Sequence, residues 1–132
     1  MSVELRHEVS ALGGHGRGHG QAVTGQTREE TFAHHLAFLC MDLTDPELHE
    51  RALAVHEAQR RAVGTLLAEA VSTGELRATT DVEALTATVQ AVTSGAGLIW
   101  ALDRQGALVR RVRHELDAVL APHIATTVTP TA

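Results

Sequence analysis

Apolar side chains return every three to four positions along most of this chain, and the rhythm breaks at a few sharp points. Phe32, Leu36, Leu39 and Leu43 predict a first secure helix, opened by a capping box between Thr27 and Glu30. Leu48, Ala52, Val55, Ala62, Leu66 and Ala70 form the stripe of a second helix, widened by Leu53, Val63 and Leu67. Its start signal is "TDPEL", residues 44–48. Pro46 is tolerated in a first turn, and Asp45 or Thr44 can cap. Glu47–Arg51 and Glu57–Arg61 are i,i+4 pairs in the favourable order. Gly74 stands where a left-handed stop is expected.

A third helix is predicted over about residues 81–102, opened by a Thr80–Glu83 capping box with Asp81 at the positive end of the dipole. "DRQG" closes it, and a fourth helix runs over about 107–121, ended by Pro122. Leu5, Val9 and Leu12 keep helical spacing near the start, followed by the glycine-rich "GGHGRGHGQAVTGQ". Glycines lose extra backbone entropy on ordering, so this stretch predicts a mobile loop. There is no strand-like alternation and no internal repeat. The chain divides into an N-terminal segment with a Gly/His-rich loop (1–26), a helical domain (27–123) and a disordered tail (124–132). The fold class is all-α, an antiparallel helical bundle.

The third helix carries more apolar surface than a surface helix needs. Val82, Leu85, Val89, Val92 and Ile99 make a bulky face. Ala84, Ala87, Ala91, Gly95, Leu98 and Ala101 make a face of mostly small residues, and Glu83, Thr86, Gln90 and Thr93 a narrow polar strip. On the fourth helix, Leu108, Val112, Leu116 and Val119 share a stripe with Val109 and Leu120 beside it. Two adjacent helices with apolar excess are what a two-fold dimer needs, each subunit giving two to a four-helix interface. Ala91, Gly95, Leu98, Leu108, Val112, Leu116 and Val119 are the candidate dimer residues. The pattern alone leaves a purely intramolecular bundle equally open.

Composition narrows the function classes. Of 132 residues, 44% are hydrophobic and only 2% aromatic, so the core must be packed from Leu, Val and Ala, which suits closely approaching helices. The net charge of −5 argues against nucleic-acid binding by this chain alone. One cysteine, Cys40, permits no intrachain disulfide and fits a reducing cytoplasm. The stretch "MSVELRHEVSAL" carries Glu and His where a signal peptide would be apolar, and no apolar run approaches ~20 residues, so neither a signal peptide nor a membrane span is expected.

"LLAEAVSTGELRATTDVEALTATVQAVTSGAGLIWAL", residues 66–102, resembles the C-terminal domain of TetR-type transcriptional regulators. The pattern is a long helix ending "AxxxGEL", a short loop, "D" plus "EAL", then an apolar helix closing on "WAL" and "D". The preceding "DPELHERALAVHEAQRRAVGTLL" and the final Leu/Arg helix extend the likeness over about residues 27–122. The resemblance implies an all-helical, ligand-sensing domain that forms a homodimer through its last two long helices. Members also carry a helix-turn-helix head that binds DNA. Residues 1–26 are too short for that three-helix unit, so as written the chain is not expected to bind an operator.

A small-molecule effector is expected between the first three secure helices. Phe38 and Met41, from the soft "AFLCMDL" stretch, together with His56, Gln59, Gln90, Thr93 and Trp100, are the candidate ligand-binding residues. His15 and His19 are spaced as a helical pair could chelate, but they lie in glycine-rich chain that preorganises nothing, so no metal site is assigned. No nucleophile–base pattern, phosphate loop or carboxylate pair appears, so no catalytic residue and no cofactor is assigned. The reading is an effector-sensing dimerisation domain rather than an enzyme. The competing readings are a headless helical protein that heterodimerises with a full-length regulator, and a His-dependent metal-binding bundle.

Overall fold

The computed structural model describes residues 44–126. The expected helix over 27–43, Phe38, Cys40, Met41 and the His15/His19 loop lie outside the described residues. Three helices follow one another: α1 (Pro46–Ser72), α2 (Val82–Asp103) and α3 (Leu108–Leu120), with a 3-10 turn at Ala121–His123. No strand occurs among the described residues, and the fold is all-α.

Local chemistry sets each boundary. Asp45 caps α1, its carboxylate accepting from the amides of Glu47 and Leu48 at 2.9 and 3.3 Å, with Pro46 in the first turn. Gly74 takes φ +80°, where a side chain would be strained. The chain then folds back, the Gly74 and Leu76 amides donating to the carbonyls of Val71 and Ala70. At α2 the expected capping box is not formed. Asp81 caps instead, accepting from the Ala84 amide at 3.0 Å. Glu83 reaches across to Arg60 at 3.2 Å, and the Thr80 hydroxyl is buried without a hydrogen-bond partner.

The core is where all three helices meet. Val63, Leu67 and Ala70 from α1 pack with Leu85, Val89 and Ala96 from α2 and with Val112, Leu116 and Leu120 from α3. Leu76, in the α1–α2 loop, belongs to the same cluster. This changes part of the expected dimer face. Val112 and Leu116 are buried in the chain's own core, because the α3 stripe turns inward toward α1 and α2. Leu108 and Val119 sit half-buried at the core's edge.

The expected tail is also corrected at its start. Ile124 forms an antiparallel bridge with Leu76. The Arg77 amide donates to the His123 carbonyl at 2.8 Å, and the Ala125 amide to the Glu75 carbonyl at 3.0 Å. The chain after α3 is thereby fastened to the α1–α2 corner. Residues 127–132 lie outside the described residues.

Helix α2 is long and apolar enough to cross a membrane by length and composition, against the expectation that no such run exists. Residues 84–102 carry no charged side chain. One side of this helix is the bundle's inner wall, which gives a core helix the same apolar signature.

Candidate functional site

The expected site residues on α2 fall on two surfaces, and these lie on opposite sides of the helix. The inner side faces α1. Gly64 on α1 stands opposite Thr86 on α2, a β-carbon at Gly64 falling 3.5 Å from the Thr86 hydroxyl oxygen. Thr86 was expected on a polar strip. It is buried, and its hydroxyl donates to the Val82 carbonyl at 2.7 Å, so the group stays satisfied within its own helix. A turn further along, the Gln90 side-chain amide donates to the His56 carbonyl at 3.2 Å, tying the helices where α1 leaves the core.

This seam gathers four of the expected ligand residues. Gln59 and Gln90 are half-buried, and the His56 side chain is exposed. Thr93 is half-buried, its hydroxyl donating to the carbonyls of Val89 and Gln90 at 2.9 and 3.0 Å. The seam thus offers amide groups beside an apolar wall, the usual means of orienting a mostly apolar small molecule. Beyond it the first half of α1 leaves Leu48, Leu53 and Val55 at least a third exposed.

Trp100, the fifth expected ligand residue among those described, is placed differently. It is buried in the α2–α3 corner, its Nε1 donating to the Gly106 carbonyl at 2.9 Å. The Arg104 guanidinium lies 4.8 Å from the ring centroid. Arg104 ends α2 in the left-handed region at φ +53°. Asp103 completes the corner: its oxygens accept from Arg111 Nη1 at 2.8 and 3.0 Å and from the Gln105 amide at 2.9 Å. The Gln105 amide, then Arg111, hold the Asp103 carboxyl below its ordinary value of 3.8. Trp100 is therefore a corner post with its indole nitrogen already engaged.

The outer side of α2 faces away from the core. Ala84, Ala87, Thr88 and Ala91 are exposed there, with Leu98 49%, Ile99 54% and Leu102 78% exposed. Gly95 lies among them, and outside its own helix nothing comes within 4 Å of where its β-carbon would sit. Of the expected dimer residues, Ala91, Gly95 and Leu98 fall on this face. Ile99 was expected on the bulky face with Leu85 and Val89, and Leu102 was not singled out. Spacing contained the signal: residues 84, 88, 91, 95, 98 and 102 step by four and three alternately, the seam of one helix against another. Val109, 48% exposed at the start of α3, adds to the apolar surface.

Among the described residues no group of histidine, cysteine and carboxylate side chains is arranged to hold a metal ion. Helix order, corner geometry and a doubly faced α2 define an all-α helical domain. Residues 36–116 match the family described as tetracyclin repressor-like, C-terminal domain. The match covers more than half of the 132 residues, and the chain belongs to that family of transcription regulators. Searches of curated proteins and of solved structures give no significant match.

Proposed function

We propose that this chain is the effector-sensing and homodimerising part of a cytoplasmic TetR-type regulator, acting by binding rather than by catalysis. The observation that carries the reading is the division of α2. Its inner side forms the seam with His56, Gln59, Gln90 and Thr93, and its outer side is an exposed face without charge. An uncharged face of this length on a globular domain marks an interaction surface. A second copy is the occupant family membership favours, and Leu108 and Val119 at the edge of α3 would flank it.

One helix then serves both events. A small, mostly apolar molecule entering the α1–α2 seam would exchange hydrogen bonds with Gln90, loosen its tie to the His56 carbonyl and shift α2 against α1. Because α2 also carries the subunit face, that shift changes how two copies sit together. Any DNA-binding head joined to them would move accordingly.

Two measurements test the reading. Light scattering on the full chain at tens of micromolar should give a dimer; a monomer there removes the subunit role. A thermal-shift screen of apolar small molecules with one or two hydrogen-bonding groups should yield ligands whose shift is lost in Gln90→Ala. Ligands that act equally on Gln90→Ala place the effector elsewhere.

A further inference from the structure

Helix α3 is fastened at both ends, and the two fastenings differ in kind. At its start the corner is built from side chains, with Trp100 on the Gly106 carbonyl and Asp103 on Arg111. At its end the tie is mostly backbone. The Arg77 amide donates to the His123 carbonyl and the Ala125 amide to the Glu75 carbonyl, on either side of the Leu76–Ile124 bridge. Arg77 adds a third bond, its Nε donating to the Ile124 carbonyl at 3.2 Å.

We propose that residues 121–126 form a latch that opens as a unit while the three helices stay folded, with Arg77 as its clamp, and that opening frees the end of α3 to swing about the Trp100 corner. The device lies within one chain and goes beyond both effector sensing and pairing.

The latch is separable from the core beneath it. Leu76 is 1% exposed, but its amide is fixed to the Ala70 carbonyl at 3.0 Å, and Leu120 is held within α3. Both keep their places when the latch leaves. Ile124 packs against the core from its edge, whereas Ala121, Pro122 and Thr126 are exposed. Pro122 has no amide hydrogen to give to the α3 ladder, so the chain can bend there without unravelling the helix. A segment with few buried contacts and exposed hydrogen bonds opens at a lower free energy than a packed core.

Electrostatics accounts for the clamp. The last turn of α3 holds Asp117 and no basic side chain, at the end where a helix favours positive charge. Arg77, 47 positions before Ile124, brings a guanidinium to that end. The latch also has leverage. Helices α1 and α3 each pack chiefly on α2, so the latch is a direct tie between the turn that ends α1 and the end of α3.

Amide hydrogen exchange on the full chain, followed by NMR, tests the proposal. The Arg77 and Ala125 amides should be at least tenfold less protected than the Leu116 amide, through an opening that low urea does not promote. Arg77→Met keeps the backbone bonds and an unbranched stem but removes the guanidinium. It should speed exchange at Ala125 about fivefold and leave Leu116 within about twofold. Ala125→Pro removes the amide that meets Glu75, and the extended Ile124 before it, at φ −65° and ψ 130°, suits a following proline. It should speed exchange at Arg77 about tenfold. Equal protection of Arg77, Ala125 and Leu116 would mean that the segment opens only with the whole domain, and would overturn the latch. So would variants that speed Leu116 as much as the latch amides. The swing is read separately, with spin labels at the exposed positions Ala68→Cys and Ala118→Cys on a Cys40→Ser chain, diluted in unlabelled chain. Their distance distribution should become longer and broader when Ala125→Pro is added. An unchanged distribution overturns the swing of α3.

Discussion

The two sides of α2 are built from similar residues yet meet different surroundings. Inward, Leu85, Thr86, Val89, Ala96, Gly97 and Trp100 are covered by the rest of the chain. Outward, Ala84, Ala87, Ala91, Leu98, Ile99 and Leu102 are exposed. Hydrophobicity alone does not separate them. Position around the helix does, because α1 and α3 cover one side only. What the contrast teaches is that the inner side makes the fold, while the outer side is left uncovered by α1 and α3 and is, in the function we propose, the face for association. A change inside should therefore alter stability at any concentration, and a change outside should alter only what depends on concentration.

The largest effect is expected inside. Leu116 is fully buried among residues of all three helices, and Leu116→Ala should destabilise the chain by about 2–5 kcal/mol. Urea unfolding at low concentration, where association is negligible, reads this directly. A loss under about 1 kcal/mol would mean that Leu116 does not sit in a packed core. The outer counterpart is Leu98→Glu. It should leave monomer stability within about 0.5 kcal/mol while weakening the dimer by roughly a hundredfold, since a charge would be buried at the seam. Equal damage to both quantities would erase the distinction between the two sides.

Much of this was legible in the sequence, and the failures are instructive. Pro46, Gly74 and Pro122 marked boundaries correctly because each limits the backbone by itself, whatever surrounds it. The Thr80–Glu83 capping box failed because Asp81, one residue on, is the better-placed acceptor, and Arg60 on a distant helix draws Glu83 away. Val112 and Leu116 were assigned outward because a stripe on α3 does not say which neighbour it faces. Trp100 was assigned to the ligand because its bond to Gly106 depends on the shape of the α2–α3 corner. The His56–Gln90 tie was beyond reach for the same reason, since it joins a side chain to a carbonyl 34 positions away.

Smaller effects sharpen the contrast at its edges. The buried Thr80 hydroxyl has no partner, so Thr80→Val should stabilise the chain by about 1 kcal/mol with no change in association. A loss of stability instead would reveal a partner for that hydroxyl, such as a bound water. On the outer side, Gly95→Ala should raise helix stability by roughly 0.5–1 kcal/mol, because the added methyl meets open space. The same methyl should weaken the association of two copies through this face. Stability and association would then move in opposite directions, read by urea melts and light scattering on one variant. If both rise together, Gly95 is no contact point.

The smallest effect lies at the α2–α3 corner. Asp103 binds Arg111 and the Gln105 amide, and these hold its carboxyl in the charged form more firmly in the folded chain than in the unfolded one. A depressed folded value means that this carboxylate adds stability above its unfolded value near 3.8. That contribution falls away as the pH drops through the lower folded value. Asp103→Asn keeps the size of the side chain and an oxygen for Gln105 but removes the charge facing Arg111. It should therefore melt slightly below the native chain at pH 7, and the two curves should converge as the pH is lowered below 3.8. Since Trp100 shares this corner, its fluorescence reports the change where it occurs. A gap that persists unchanged to the lowest pH would mean that Asp103 acts by packing and not by charge. The corner would then hold Trp100 through the Gly106 carbonyl and the Arg104 guanidinium alone.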